Sequence, residues 1–171
     1  TNKPVPGAIV VVRWRGDLPG FADSRTVCYH VSSATTDDGG RYRIPAWSKE
    51  ADKDWQKRII NKEPIVTAHK AGYEWSTKPS QGEEIRYLAP SRGTSTGRLE
   101  YLLRVLGVTS CGSQDESEKS LIALRKALYE EAKALARTES EKKSVEFILY
   151  RLEILELGFE TAEKRYLQRG R

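Results

Sequence analysis

Apolar positions along the chain follow two rhythms, alternation in the first half and a helical stripe in the second. From Ala8 to Arg15, Ala8, Val10, Val12 and Trp14 share one face, while Ile9 and Val11 give way to Arg13 and Arg15 on the other. This reads as a strand covered on both sides at its start and wetted at its end. Gly16 to Gly20 reads as a loop. Thr26 to Thr36 forms the next strand, with Val27, Tyr29 and Val31 facing one way and Cys28, His30 and Ser32 the other. Thr35 to Pro45 is expected to be a tight hairpin. Asp38, Gly39 and Gly40 supply its positive-φ positions, and Tyr42 and Ile44 alternate with Arg41 and Arg43 in a returning strand. Pro45 cannot donate to a ladder and marks an edge or an exit.

Residues 46–62 are polar and charged and read as a long excursion, with a helical turn from Trp55 to Ile59. Ile65 to Lys70 is a strand whose pattern leaves open whether Val66 and Ala68 or Ile65 and Thr67 face inward. Ala71 to Glu74 turns the chain, and Glu84 to Ala89 is a last strand closed by Pro90. Past Pro90 the period changes. Leu99, Leu102, Leu103 and Leu106 fall at i, i+3, i+4 and i+7, so 98–106 reads as a short helix stopped by Gly107, with a strand as the competing assignment. A long helix starts at Ser117 along Leu121, Leu124, Leu128 and Leu135. Thr138 with Glu141 three residues on is a capping box for another, striped by Val145, Ile148, Leu149, Leu152, Leu155 and Phe159. Gly158 is the break, and 161–168 makes a final short helix. The two long helices form a hairpin whose apolar faces must bury against each other and against the β-rich part or a partner.

The chain of 171 residues, 31% charged and 38% hydrophobic, has the composition of a globular protein. It contains no apolar run of the ~18 residues that span a bilayer. Residues 115–171 balance twelve basic against twelve acidic side chains, so the whole excess of +5 lies in the first 114 residues. Such a mild surplus favours solubility and is not a nucleic-acid signature. Cys28 and Cys111 show no Cys-x-x-Cys spacing and no histidine pair beside them, which argues against zinc. His30 and His69 are the only histidines; a metal or catalytic pair would need both to meet a carboxylate, with Asp37 and Asp38 nearest. Nucleophile-elbow, phosphate-loop and dinucleotide motifs are absent.

Three stretches taken together carry a family resemblance. Lys3-Pro4-Val5-Pro6-Gly7 leading into Ala8–Val12, Thr36-Asp37-Asp38-Gly39-Gly40-Arg41-Tyr42-Arg43-Ile44-Pro45, and Val66–Glu74 resemble, in order and spacing, the carboxypeptidase regulatory-like domain. That resemblance implies a transthyretin-like β-sandwich over residues 1–90, in an α+β chain with a linker and short helix at 91–116 and a helical hairpin at 117–171. Such domains usually open with a strand before the Lys-Pro turn; here it is either left out or supplied by another chain. The family name implies no peptidase activity. The hydroxyisourate hydrolases of the same fold group end in Tyr-Arg-Gly-Ser, which Tyr166 to Arg171 does not match. The resemblance further implies an extracytoplasmic setting, periplasmic, secreted or lipid-anchored. In that setting a Cys28–Cys111 disulfide is favoured over two buried thiols. The role expected is a non-enzymatic binding or structural module without a cofactor, engaging a protein partner, a homo-oligomer or a larger assembly. Membrane contact would come only through an N-terminal lipid anchor. A carbohydrate-binding accessory domain or a hydrolase is the alternative, using an aromatic surface of Trp47, Trp55, Trp75 and Tyr73.

Overall fold

The computed structural model describes residues 3–20, 23–47, 58–75, 88–111 and 116–170. Its sheet is built around β1, Ile9–Pro19, which is paired antiparallel on both edges. β2, Ser24–Thr35, runs along one edge for its whole length. On the other edge β4, Ile65–His69, pairs with residues 9–13, and the two-residue β3, Ile60–Asn61, pairs with Gly16 and Asp17. A separate two-stranded ribbon joins β5, Tyr73–Trp75, to β6, Leu88–Pro90.

Residues 16–19 therefore continue β1 rather than looping out. The reason is visible at Gly16, where an added Cβ would lie 2.2 Å from Ile59 Cγ2 and 2.5 Å from the Ile60 carbonyl oxygen. Only a residue without a side chain lets β3 approach so closely. Gly16→Ala should cost about 1–3 kcal/mol through overpacking. Gly107→Ala, where no atom of the described residues outside its own helix backbone lies within 4 Å of an added Cβ, should instead stabilise its helix by about 0.5–1 kcal/mol. Urea unfolding of the two variants checks the opposite signs.

The expected hairpin at 35–45 exists only as a turn. Gly40 (φ +72°) is its one left-handed residue, and Asp38 and Gly39 keep negative φ. The Gly40 N–H donates to the Asp37 carbonyl, the Asp37 N–H to the Arg41 carbonyl, and Asp37 Oδ1 accepts the Arg41 N–H at 2.8 Å. No strand follows: residues 41–47 have no ladder, and Tyr42 is exposed. Alternation alone cannot make a strand without a neighbour. The free edge of β2 is met at Val31 and Ser33 by Ser117 and Ser120, while on the β1 side Thr36 exchanges backbone hydrogen bonds with Gly7 and Ala8. Its hydroxyl also accepts the Ala8 N–H and donates to the Val5 carbonyl.

A bulge changes the faces of β2. Trp14 pairs with His30 but Arg15 pairs with Cys28, leaving Tyr29 without an opposite residue. Residues directly opposite point the same way, so this one extra residue moves Cys28 to the face of Arg13, Val11 and Val31. Strict alternation had put it on the face of His30. From the corrected face Cys28 forms a disulfide with Cys111, the Cα atoms 5.1 Å apart.

Helix α1, Ser95–Thr109, starts on Thr94, whose hydroxyl accepts the Gly97 N–H, and runs through Gly107 instead of stopping there. A 3₁₀ turn at Glu116–Leu121 leads into α2, Ile122–Leu135, so the long helix begins later than Ser117. The Thr138–Glu141 capping box is present in both directions at the start of α3, Glu139–Leu157. The box's two backbone N–H groups, first Thr138 and then Arg137, hold the Glu141 carboxyl down to about 2. Gly158 (φ +85°) breaks the chain, and α4 runs Phe159–Arg169. Phe159 thus leaves the α3 stripe and is exposed. One apolar core joins both halves: Val11 and Val31 of the sheet pack with Leu99, Leu102, Val105, Leu121, Leu124, Leu128 and Ile148 of the helices. The helices cover the face carrying the odd-numbered residues of β1.

Candidate functional site

The face of the sheet opposite the helices carries an aromatic group. Trp14 and His30 are cross-strand neighbours, ring centroids 5.0 Å apart, and Trp47 stacks on His30 at 4.1 Å and 11°. Trp47 also lies 5.6 Å from the buried Tyr29, the bulged residue. Trp75 sits elsewhere, edge-on to Tyr101 of α1, its indole N–H donating to the Ala68 carbonyl. Tyr73, at the start of the same short strand, gives its carbonyl to Arg98. All three of these predicted surface residues are half-buried, and Trp55 lies outside the described residues.

The groups with the most chemistry meet on the helix side. Residues 65, 67 and 69 of β4 oppose Arg13, Val11 and Ile9, so Thr67 and His69 point into the core and both are buried. This settles the inward face in favour of Ile65 and Thr67. Glu131 of α2 reaches His69 with Oε2 3.5 Å from Nε2. Its Oε1 accepts Arg98 Nε at 2.8 Å and the Gly72 N–H at 3.0 Å. Arg98, 4% exposed, also donates to the carbonyls of Tyr73 and Lys70, lies 3.9 Å from Glu74, and covers the Tyr101 ring at 4.6 Å. One guanidinium and one carboxylate thereby bind α1, α2 and the β4–β5 turn together. Gly72 (φ +76°) shapes that turn.

Among the described residues neither nitrogen of His69 has a hydrogen-bond partner. Burial holds its pKa down at about 4; the Glu131 charge opposes this and the Arg98 charge adds to it. Neutral His69 beside an Arg98–Glu131 pair is therefore the native state near neutral pH. The sign of the linkage follows from the depressed value. Between pH 6.5 and 4 the unfolded chain takes up a proton that the folded chain refuses. Stability is complete above 6.5 and declines through that window, by at most about 1.4 kcal/mol per pH unit. His69→Gln should flatten the pH dependence of the urea midpoint over this interval by about one proton; an unchanged slope would refute the assignment.

His30 and His69 lie on opposite faces of the sheet, with β1 between their strands, and Asp37 is engaged at the turn with Arg41. The sequence-level pair is thus not assembled, and no group of three or more metal-ligating side chains is gathered among the described residues. Glu131 and Arg98 gave no signal in the sequence, where each reads as one more solvated helix charge. No family model, curated protein or solved structure matches the chain. No helix among the described residues is long and apolar enough to cross a membrane.

Proposed function

We propose that the chain is a non-enzymatic, extracytoplasmic binding or structural module that acts through its surface within a protein assembly. The observation that carries this reading is the Cys28–Cys111 disulfide, which joins the sheet to the segment after α1 across 83 residues. Cross-links of this kind persist in oxidising compartments. Two further features support it. His69, Glu131 and Arg98 are enclosed and engaged with one another, so their contribution is to hold elements in place. The last two helices, by contrast, expose Phe147, Leu157, Phe159 and Leu167 at 41–59%, apolar side chains of the kind that partners cover. The likeness of the β-rich part to carboxypeptidase regulatory-like domains belongs to this proposal; the pairing of residues 9–13 with both β2 and β4 supports it. The helices on the odd-numbered face are an addition to such a sandwich.

Thiol trapping in cells of the source, combined with fractionation, tests the reading. Cys28 and Cys111 should resist alkylation until reductant is added, in an extracytoplasmic fraction. Cytoplasmic protein with both thiols labelled would overturn it. Phe159→Glu with Leu167→Glu should weaken cross-linking into the assembly while leaving the unfolding midpoint unchanged.

A further inference from the structure

A second group of charges surrounds the C-terminal end of α1. Arg125 of α2 is 1% exposed, and its guanidinium donates to the Leu106 carbonyl at 3.0 Å and to Ser110 Oγ at 2.7 Å. Arg151 of α3 donates to the same hydroxyl at 3.2 Å, and Arg13 of β1 to the Ser110 carbonyl at 3.3 Å. Three elements thus aim guanidinium groups at one serine. Ser110 has no capacity left, since its hydroxyl donates to the Leu106 carbonyl at 2.9 Å while accepting from two arginines.

The electrical balance is uneven. Among the described residues neither Arg125 nor Arg151 has a carboxylate partner, and Arg125 Nε is buried with no hydrogen-bond partner. Burial lowers the Arg125 pKa to about 10; the Arg151 charge adds to the shift and Glu118 opposes it. Glu118 itself accepts the Cys111 N–H at 2.9 Å. Arg13 and Glu118 make additional contacts, so the case rests on Arg125 and Arg151. The end of α1 offsets only about half a unit charge. Buried guanidinium groups are ordinarily matched by an anion. Ser110 and Arg151 are half-buried, which gives the cluster a side open to water.

We propose that Arg125 and Arg151, gathered about Ser110, form a binding site for a tetrahedral oxyanion, phosphate or sulfate, taken as the free ion or as a terminal ester. Planar forked donors suit such an anion in a way that ammonium groups do not. The test uses the full disulfide-bonded chain at constant ionic strength, so that screening is the same in every sample. Inorganic phosphate should raise the unfolding midpoint saturably over a chloride control, and calorimetry should show one site. Arg151→Gln keeps the buried Arg125 in place and should weaken phosphate about tenfold or more. Its circular dichroism spectrum should match that of the unsubstituted protein. Phenyl phosphate separates the two sources: binding of both compounds supports a site open to esters, and binding of inorganic phosphate alone supports an enclosed free-ion site. No binding of either, or equal affinity in Arg151→Gln, overturns the proposal.

Discussion

Glu131→Ala is expected to destabilise the protein by about 3–5 kcal/mol, the cost of leaving a buried ion without its partner. The carboxylate it removes accepts Arg98 Nε and the Gly72 N–H and faces His69. Arg98 has a side chain only 5% exposed and would keep only the more distant carboxylate of Glu74, at 3.9 Å. Three elements lose a common tie at once, so urea unfolding followed by circular dichroism should show a lower midpoint with an unchanged slope. Glu131→Gln, which keeps an acceptor and loses the charge, should fall between the two. Arg98→Met combined with Glu131→Leu should recover much of the loss, because an apolar pair of similar volume needs no counter-charge. A Glu131→Ala penalty below about 1 kcal/mol would show that water reaches Arg98 and that the cluster is not a tie.

Removing the Cys28–Cys111 cross-link is the other large effect. A loop of 83 residues implies about 4 kcal/mol in the chain-entropy account. For a chain of this length that corresponds to roughly 10 °C in the unfolding midpoint. Cys28→Ser with Cys111→Ser and the reduced native chain should agree with one another, since both free the same loop. The size of the effect also reports on the bulge. If Tyr29 were not extra, Cys28 would sit on the face of His30, away from the helices, and oxidation would have to distort β2. Indistinguishable midpoints with and without reductant would contradict the cross-link's stabilising role.

Helical features were legible because their causes are local. The stripes of Leu99 to Leu106 and Val145 to Leu155, the Thr138–Glu141 box and the Gly158 break each depend on residues within a few positions. The strands were legible as strands for β1, β2 and β4. Their details failed where a neighbour decides. Arg41 to Pro45 has the alternation of a strand but no partner, because Ser117 and Ser120 meet the free edge of β2 at Val31 and Ser33. Gly16 reads as a loop residue until Ile59 and Ile60 are seen against it. One residue of bulge reverses the face of Cys28, and nothing in the pattern marks Tyr29 as the extra one.

The candidate sites were the least legible part. His69 lies on the face shared by Ile65 and Thr67, which the alternation of Ile65 to Lys70 left undecided until β1 was seen beside it. Arg98, Glu131, Arg125 and Arg151 sit on helices rich in charge, and their buried state depends on which turn meets the sheet or another helix. The half-buried Trp47 and Trp75 show the reverse. Their residue type advertised a surface, and tertiary packing drew their rings against His30 and Tyr101.

The free side of β2 has a different significance for assembly. At Val31 the outward N–H donates to Ser117 Oγ and the outward carbonyl accepts from Ser120 Oγ, while Ser33 Oγ donates to the Ser120 carbonyl. Two serines of a 3₁₀ turn thus stand in for a neighbouring strand, and that stretch presents no bare template to another copy. A strand donated from elsewhere must peel the turn away or seek a different margin of the sheet. Polymerisation by edge-to-edge stacking is blocked at this point by a few hydroxyl groups.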